Sequence, residues 1–316
     1  MTPGGPSGLD WFGEKSADFR GEILRDEPLA RHTYYRIGGP AKLMLVPKSV
    51  EDLFWIHRGL KDSGVSFAVL GVGSNTLASD DGFKGVVIKL SKLDQSIEDL
   101  GESEGVRRIR CGASVAISTL LKRASTGGWG SFDLWTGIPG SVGGAVAMNA
   151  GTHLGETADI LESVQIFDLK SGALTELSRK QIDFSYRVCK QVTSSTLVVS
   201  AVFKTRVEDP AKTLERIQAT LARRKATQPI DKPSCGSVFK NPKEAGLHAW
   251  QVIEKVGLRG YQEGQAQFSD KHCNFIVNLG GAKAWQVRAL IDEAKKRAHE
   301  KLGIELHEEV RSLGFK

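Results

Sequence analysis

Apolar and polar positions near the start of the chain predict short strands around one helix. The apolar run Ala41–Pro47 predicts a strand that ends at its proline. Ser49 is placed to cap a helix, and apolar residues follow it at helical spacing: Val50, Leu53, Phe54 and Ile56. Two more apolar runs predict strands, at Phe67–Leu70 and Val86–Leu90. Together these elements predict a small α/β unit.

A second set of patterns begins near Leu93 and is richer in strands. A helix is predicted over 115–123, and a glycine-dense turn with a short helix over 129–151. The turn Leu169–Gly172 predicts a hairpin between its flanking apolar runs. The predicted strands of this region are Val106–Cys111, Ser163–Asp168, Ala173–Ser178 and Thr196–Thr205.

The last third reads as a separate region that begins after Glu208–Pro210. An amphipathic charged helix over 211–227 precedes the proline-rich hinge Gln228–Pro233. A long helix then places one apolar stripe on Val287, Leu290, Ile291, Ala294, Ala298 and Leu302. Gly303 ends that helix, and a final strand is predicted over 304–313. We therefore predict a loose leader (1–20), two successive subdomains (21–92 and 93–207) and a C-terminal domain (208–316).

Composition excludes several classes of protein. The 316 residues carry 43 Lys+Arg and 37 Asp+Glu, a net charge of +6, with 40% hydrophobic and 25% charged residues. This is typical of a globular protein, and no basic run with interleaved aromatics indicates nucleic-acid binding. No apolar stretch is long enough for a membrane span, and residues 1–13 do not resemble a signal peptide. We expect a cytoplasmic protein with neither a membrane nor a nucleic-acid partner.

The four cysteines are widely spaced, which argues against a metal site or a disulfide framework.

The chain is unusually rich in glycine, because 35 of its 316 residues are glycine, about 11% against a usual ~7%. Three glycine clusters stand beside small polar residues at the ends of elements: Tyr35–Pro40, Leu70–Asn75 and Gly137–Gly151. Such loops can direct backbone N–H groups at phosphate oxygens, although tight turns and close packing would also explain them.

Neither standard nucleotide signature is present. In the loop that starts at Gly71, position 76 is threonine where the Rossmann fingerprint requires glycine, and the Walker pattern is absent. Three clusters of similar chemistry in one chain still favour phosphate binding over three independent turns. The pattern therefore indicates a dinucleotide-binding fold of another kind.

At these three loops the chain resembles the UDP-N-acetylenolpyruvoylglucosamine reductase family, and the resemblance extends over about residues 25–314. The short link from Val188 to the strand at Thr196 resembles the form of the family that lacks an extra substrate-covering loop. Motif order and spacing agree through five further segments: Phe184–Arg187, Gly236–Pro242, 245–260, Ser269–Asn278 and Glu308–Arg311.

The resemblance implies an α+β flavoenzyme in which a two-part FAD-binding domain of the vanillyl-alcohol-oxidase type precedes a substrate domain. It also implies reduction of UDP-N-acetylglucosamine enolpyruvate by NADPH, giving UDP-N-acetylmuramate. The Gly71–Asn75 loop contains no His or Cys, so we expect noncovalent FAD, with His153 as the nearest candidate for attachment. By resemblance, FAD would be bound by Tyr35, Arg36, Ile37, Gly38, Gly39, Gly71, Gly73, Ser74, Asn75, Gly137, Pro139, Gly140, Ser141, Gly143, Gly144, Asn149, Ala150 and Gly151.

Three residues are catalytic candidates by the same resemblance. The reaction builds negative charge beside a carboxylate, which the planar guanidinium of Arg187 suits. Ser237 would donate the proton to the enolate carbon, and Glu309 would assist, although a one-residue error in favour of Glu308 is possible. Cys235 is expected to serve packing, because no basic neighbour is visible that would activate its thiol.

The candidates for contacts with the UDP-sugar are Lys240, Asn241 and Lys225, which lies at the cationic end of the helix over 211–227. Tyr186 is a further candidate, although a role as a core aromatic would explain it equally well. His248 and His272 suit packing or polar contacts better than metal ligation. The alternatives are an FAD-dependent alcohol oxidase or dehydrogenase of the same fold, and a catalytically inactive flavin-binding regulator. Retention of Arg187, Ser237 and Glu309 argues against both. The oligomeric state stays open.

Overall fold

The computed structural model describes residues 8–242 and 246–315 of the chain. Their α-helices are α1 (Asp10–Glu14), α2 (Val50–Ser63), α3 (Ile117–Gly127), α4 (Val142–Ala147), α5 (Thr157–Ile160), α6 (Pro210–Thr227), α7 (Ala249–Lys255) and α8 (Ala284–Leu302). Short 3₁₀ turns occur at Ser16–Asp18, Leu29–His32, Gly130–Trp135 and Arg179–Gln181.

The strands are short except in one sheet. They are β1 (Glu22–Pro28), β2 (Pro40–Val46), β3 (Phe67–Leu70), β4 (Thr76–Ala78), β5 (Phe83–Lys89), β6 (Ile97–Ser103), β7 (Val106–Gly112), β8 (Gly151–Thr152), β9 (Gly155–Glu156), β10 (Leu161–Asp168), β11 (Leu174–Ser178), β12 (Phe184–Ser185), β13 (Val188–Cys189), β14 (Thr196–Arg206), β15 (Gln262–Glu263), β16 (Ala266–Phe268), β17 (Ile276–Asn278) and β18 (Arg311–Leu313).

The contact pattern divides the chain into two compact units of several segments each. Unit 1 comprises Met1–Arg25, Leu43–Val72 and Gly85–Ala222, and unit 2 comprises Asp26–Lys42, Gly73–Lys84 and Arg223–Lys316. The three-part division expected from sequence, at 20/21, 92/93 and 207/208, stays a prediction.

Unit 1 is built on the five-stranded sheet β11-β10-β14-β7-β6, in which the neighbouring strands are antiparallel. One apolar cluster beneath this sheet gathers the aromatic rings of Phe132, Trp135 and Phe203. A second cluster joins α2 to the chain start through Phe12, which is fully buried, and Trp55. Apolar burial of this kind is the main force that holds such a unit together.

Unit 2 is organised around α8, whose buried stripe matches the predicted one except at Leu302, which is 38% exposed. Val287, Leu290, Ile291, Ala294 and Ala298 lie on the stripe, and Gly303 ends the helix with φ 66°. The sheet β15-β16-β17 packs on this helix in the same apolar cluster. The parallel pair β4–β18 joins two segments that are far apart in sequence, with Arg311 opposite Thr76.

Several predicted elements are confirmed. Ser49 caps α2, because its side chain accepts from Asp52 N at 3.3 Å. The predicted hairpin is confirmed, because β10 and β11 pair antiparallel. The predictions gave no element where the structure has β1, β6, α7 and β15–β17.

Two predictions were wrong in extent. The final strand spans Arg311–Leu313 and not 304–313, because the N–H groups of Glu309 and Val310 donate to Val238 O instead of continuing a ladder with β4. The expected loose leader does not hold for residues 8–20, which form α1 and bury Phe12 against α2. Residues 1–7 of that expectation, and Ala245 of the family motif, lie outside the described residues.

Candidate active site

The first predicted cofactor loop, Tyr35–Pro40, lies in unit 2, where Gly39 and Gly73 each lie close to other backbone of the same unit. A Cβ at Gly39 would meet Asp80 O at 2.0 Å, and a Cβ at Gly73 would meet His32 O at 2.1 Å. The close approach of two backbones therefore requires glycine at these positions whether or not a ligand binds.

The side chains of this first loop point in two directions. Tyr35 and Ile37 are buried in the apolar cluster of unit 2, and Asn278 Nδ2 donates to Tyr35 O at 2.8 Å. Arg36 is exposed and has φ 57°, a backbone conformation that a non-glycine residue rarely adopts. Any cofactor contact from this loop would therefore come from its backbone and from Arg36.

Gly71 differs from Gly39 and Gly73, because a Cβ there would meet nothing within 4 Å. Packing does not require glycine at this position, so the bare backbone faces open space. Its carbonyl oxygen accepts from Lys89 Nζ at 2.6 Å within unit 1. Lys89 is almost fully buried, and desolvation lowers the pKa of its ammonium group to about 8.

The rest of the second loop is anchored inside unit 2. Asn75 Nδ2 donates to Glu309 O at 3.0 Å, and half-buried Ser74 precedes it. Cys235 Sγ donates to Thr76 O at 3.2 Å. Burial raises the pKa of the Cys235 thiol to about 12, so its predicted packing role is confirmed.

The third loop begins in unit 1 at Gly137 and leads into the short helix α4. Ser141 caps this helix and forms a bridge with Ala116, and Gly143 N donates to Ala113 O at 2.9 Å. Gly137, Pro139, Gly140 and Gly144 are all at least partly exposed, as is Ala150. The loop is therefore fixed on one side and open on the other.

Asn149 is a predicted cofactor residue whose side chain serves the protein itself. Its Nδ2 donates to Glu156 Oε2 at 2.7 Å and to Ser185 O at 3.2 Å, and its Oδ1 accepts from Ala158 N at 3.0 Å. With φ 42°, it also turns the chain toward Gly151. Contact with a cofactor would come from its backbone.

Arg187 occupies the second position of the two-residue turn between β12 and β13 in unit 1. Its φ is 60°, which costs a non-glycine residue about 1 kcal/mol. Arg187 Nη2 donates to Gly151 O at 3.3 Å, and the guanidinium lies 4.8 Å from the ring centre of Tyr186. Unit 1 therefore brings Arg187, Tyr186 and the end of the third glycine loop together.

Ser237 and Glu309 lie on neighbouring segments of unit 2. Ser237 follows Gly236, which has φ 75°, and forms an antiparallel bridge with Phe275. Glu309 N donates to Val238 O at 2.7 Å, so the segment that contains Glu309 runs beside the one that contains Ser237.

The neighbouring carboxylate, Glu308, is committed elsewhere. Its Oε1 accepts from Arg288 Nη1 at 2.8 Å and from Lys295 Nζ. Burial acts to raise the pKa of Glu308, but these two cations outweigh burial and hold the pKa below its usual range. These ion pairs bind the Glu308 carboxylate to α8.

The predicted substrate residues of unit 2 lie in two places, on α6 and in the irregular segment that contains Lys240 and Asn241. Lys225 lies at the C-terminal end of α6, and Lys240 N donates to His307 O at 2.9 Å. Asn241 Oδ1 accepts from Ala249 N at 3.0 Å and so helps to begin α7. This bond gives Asn241 a structural task that its sequence position does not reveal.

Two residues of the site region were missed by sequence reasoning. Lys89 ends the apolar run of β5. A lone cation at the end of such a run indicates a buried charge that needs a polar partner, and this signal was present in the sequence. Asn274 is buried, and its side chain bonds both Phe239 N, at 3.0 Å, and Phe239 O, at 2.8 Å. Nothing in the spacing of the sequence pairs Asn274 with Phe239.

Metal chemistry and membrane insertion find no support in the part of the chain that the structure describes. Within residues 8–242 and 246–315, no group of His, Cys, Asp or Glu could hold a metal ion. His272 packs beside Phe275, with ring centres 4.8 Å apart, as expected from sequence. No helix of these residues is both long and apolar enough to cross a membrane.

The loops fit a flavin dinucleotide in the chemistry of their donors. At the start of the third loop, none of the described residues gives the fully buried Thr136 Oγ1 a hydrogen-bond partner. At the second, bare backbone at Gly71 stands beside the ammonium group of Lys89. Neutral donors and a cation at glycine-rich backbone suit a diphosphate and polar ring edges.

Comparison with known proteins defines the class first. Residues 41–178 match an FAD binding domain, and residues 228–313 match the C-terminal domain of UDP-N-acetylenolpyruvoylglucosamine reductase. These matches and the mixed helices and strands confirm the predicted α+β fold class, and the chain is an FAD-dependent oxidoreductase.

The relatives then define the family. The chain is 40% identical over 300 residues to the UDP-N-acetylenolpyruvoylglucosamine reductase of Heliobacterium modesticaldum, covering 94% of this chain and 92% of that protein. It is 40% identical to the Bacillus subtilis reductase of the same name, covering 93% and 95%. The crystal structure of the Thermus caldophilus reductase matches with TM-score 0.76 and 32% identity, covering 93% and 99%. The chain belongs to the UDP-N-acetylenolpyruvoylglucosamine reductase family.

Proposed function

We propose that this chain reduces the enolpyruvyl group of UDP-N-acetylglucosamine enolpyruvate with NADPH, giving UDP-N-acetylmuramate for peptidoglycan synthesis. The observation that carries this function is the identity of 38–40% to reductases of that name over more than nine tenths of the chain. FAD held by the three glycine loops would supply the hydride chemistry between NADPH and the substrate. The protein supplies binding, orientation and proton transfer.

Arg187 is proposed to stabilise the negative charge that develops on the substrate carboxylate. A guanidinium can donate two parallel hydrogen bonds to a carboxylate, which lysine cannot do. The positive φ of Arg187 supports this role, because a strained backbone at a functional side chain persists only where its surroundings hold it. The bond to Gly151 O and the ring of Tyr186 supply such surroundings.

Ser237 is proposed as the proton donor to the enolate carbon. Its hydroxyl is a poor acid by itself, so it needs a partner that stabilises the transferred charge. Glu309 is proposed to assist, since its segment is bonded to Val238 O, one residue after Ser237. The commitment of Glu308 to Arg288 and Lys295 supports the choice of Glu309.

The three glycine loops are proposed to hold noncovalent FAD, mainly through their backbones. Tyr186, Lys225, Lys240 and Asn241 are proposed to contact the UDP-sugar. We also propose that the enzyme is cytoplasmic, which is supported by its four buried, unbridged cysteines. We propose no membrane or nucleic-acid partner for it.

The decisive experiment measures the two half-reactions separately by stopped-flow absorbance of the flavin. In the wild-type protein, NADPH should bleach the flavin, and the enolpyruvyl substrate should restore its colour. Ser237→Ala should leave bleaching within about twofold and slow recolouring by ~10²–10⁴-fold, because general acid catalysis contributes that much. Ser234→Ala, three residues earlier on the same segment, is the matched control and should change neither step.

Different outcomes would reject different parts of the proposal. A protein unable to bind FAD, or whose reduced flavin is not reoxidised by the enolpyruvyl substrate, would reject the function. Oxidation of an alcohol by the same flavin would favour the oxidase alternative. Equal slowing of both half-reactions in Ser237→Ala would show that Ser237 has a structural task and is not the acid.

A further inference from the structure

The segment that contains Glu309 is fastened to α8 by side chains on both flanks. Arg288 Nη1 donates to Glu308 Oε1 at 2.8 Å, and its Nη2 donates to Ser312 Oγ at 2.7 Å. Lys295, seven residues further along the same face of α8, donates to the same Glu308 oxygen. One guanidinium therefore spans the two residues that bracket Glu309, Val310 and Arg311. We call Arg288, Lys295, Glu308 and Ser312 the α8 clamp.

Residues 304–310 form no regular strand, but their backbone is bonded at several points. His307 O accepts from Lys240 N, and the N–H groups of Glu309 and Val310 both donate to Val238 O. Glu309 O accepts from Asn75 Nδ2, and regular ladder bonding begins only at β18. The side-chain bonds of the α8 clamp add to these backbone bonds in fixing where the segment of Glu309 lies.

The helix on the other side of the clamp is a firm support. Its apolar face is buried in the main cluster of unit 2. Its first turn is fixed as well, because Ala284 N and Trp285 N donate to the carboxylate of Asp80 at 2.9 and 3.1 Å. Arg288 and Glu308 are each at least three quarters buried, so their ion pair is only partly screened by water.

Glu308 and Glu309 are adjacent carboxylates, and the α8 clamp determines which of the two faces α8. Adjacent side chains of an extended segment point to opposite faces, so a one-residue shift of this irregular backbone would exchange the two carboxylates. The ion pairs hold the Glu308 carboxylate toward α8 and so oppose such a shift. The backbone of Glu309 stays bonded to Val238 O, one residue after Ser237.

We propose that Arg288 is a positioning residue for Glu309, acting through Glu308 and Ser312. This inference rests on the proposed function, in which Glu309 assists proton transfer at the substrate. A displacement of about 1 Å in a reacting group can slow catalysis by up to ~10²-fold. Loss of one of several anchors should cost less than that.

The test compares both flavin half-reactions in the FAD-loaded Arg288→Met protein. We expect flavin reduction by NADPH within about twofold of wild type, and reoxidation by the enolpyruvyl substrate slowed about tenfold. Arg288→Lys should recover part of the loss, because an ammonium group can pair with Glu308 but cannot also reach Ser312. Arg297→Met is the matched control, since Arg297 pairs with Glu293 at 2.6 Å on the same helix. It should change neither half-reaction.

Glu309→Gln separates this inference from the function on which it rests. In the Glu309→Gln background, Arg288→Met should slow reoxidation no further, because its effect passes through Glu309. If Glu309→Gln slows reoxidation and Arg288→Met does not, the inference fails and the role of Glu309 stands. If Glu309→Gln has no effect, both fail.

A purely structural role makes a different prediction. Arg288→Met would then lower the melting temperature and slow both half-reactions equally, and that result would overturn the inference. Should Arg288→Met not fold, Ser312→Ala removes a single hydroxyl from the α8 clamp. It should slow reoxidation alone by a few-fold, and an unchanged rate there would equally overturn the inference.

Discussion

Arg187 in unit 1 and Ser237 in unit 2 are both supported by a buried asparagine, but the two backbones solve different problems. Asn149 bonds three separate points, Glu156, Ser185 and Ala158, and itself has φ 42°. Asn274 bonds both backbone groups of the single residue Phe239, as a neighbouring strand would do. Asn149 therefore links three separate segments, whereas Asn274 pairs with the backbone of one residue.

The unfavourable backbone conformation also falls in different places. In unit 1 it falls on Arg187, the proposed charge-stabilising residue, which adopts a left-handed conformation at a cost in stability. In unit 2 it falls on Gly236, which adopts φ 75° without that cost, and Ser237 forms a bridge with Phe275. If both residues have their proposed roles, unit 1 orients its cation at a cost in stability, and unit 2 orients its hydroxyl without such a cost.

The largest effect on the rate of flavin reoxidation is expected for Arg187 in unit 1, whose role can be separated from its backbone strain. Arg187→Gly relieves the strained φ while removing the guanidinium, so the free energy of unfolding should change by no more than ~1 kcal/mol. Flavin reoxidation by the enolpyruvyl substrate should nevertheless slow by ~10²–10³-fold, the usual cost of losing one charge-stabilising donor. Urea denaturation and stopped-flow absorbance measure the two quantities.

The matched control for Arg187→Gly is Glu104→Gly. Glu104 is an exposed residue of the same unit with φ 54°, in the turn between β6 and β7. Glycine there should stabilise the protein by up to ~1 kcal/mol and leave both half-reactions unchanged. An Arg187→Gly protein that unfolds much more easily would mean that Arg187 mainly supports the turn.

The two asparagines provide the next test. Asn149→Ala and Asn274→Ala should each lower the free energy of unfolding by ~2–3 kcal/mol, because each leaves buried backbone groups without partners. Asn149→Gly should recover ~1 kcal/mol of that loss, since φ 42° suits glycine, whereas Asn274→Gly should recover nothing. Urea denaturation of the four variants measures the difference. Equal behaviour of the two glycine variants would show that the positive φ of Asn149 stores no strain.

The smallest expected effect is on the affinity for FAD, and it concerns the second glycine loop, which contains Gly71. The carbonyl of Gly71 is held by a buried cation, Lys89, and that of Thr76 by a neutral thiol, Cys235. Lys89→Met should weaken FAD binding by about tenfold, because a charge-assisted hydrogen bond to the loop is lost. Titration of the apoprotein with FAD, followed by flavin fluorescence, measures this affinity. Lys84→Met, an exposed lysine of the same strand, is the control.

The difference in stability between the wild-type and Lys89→Met apoproteins should depend on pH with a definite sign. The pKa of Lys89 is lowered to about 8 in the folded protein. The unfolded chain therefore binds more protons between pH 8 and 10.5, and wild-type stability rises with pH across that window. At pH 7, Lys89→Met should be more stable than wild type by up to ~3 kcal/mol, and the difference should shrink toward pH 10. A difference independent of pH would contradict the burial of a charged Lys89.

Local pattern made much of the fold predictable. The Ser49 cap, the β10–β11 hairpin and the stripe of α8 are each determined by residues within a few positions of one another. The glycine clusters and the motif order around Arg187 and Ser237 indicated the family, which the comparisons confirmed. Roles that depend on distant partners were not predictable, and the expected strand over 304–310 failed for that reason, since its backbone bonds to Val238.

The sequence by itself determined the elements, the glycine-rich loops and the set of candidate side chains, because these depend on short-range periodicity, capping and turn chemistry. Only the tertiary structure decided which glycines are required by close backbone approach, and that the Glu308 carboxylate pairs with Arg288 of α8. It also joined Asn75 to Glu309 across 234 residues of chain. Contacts of that range depend on packing and burial, which no local pattern of residues encodes.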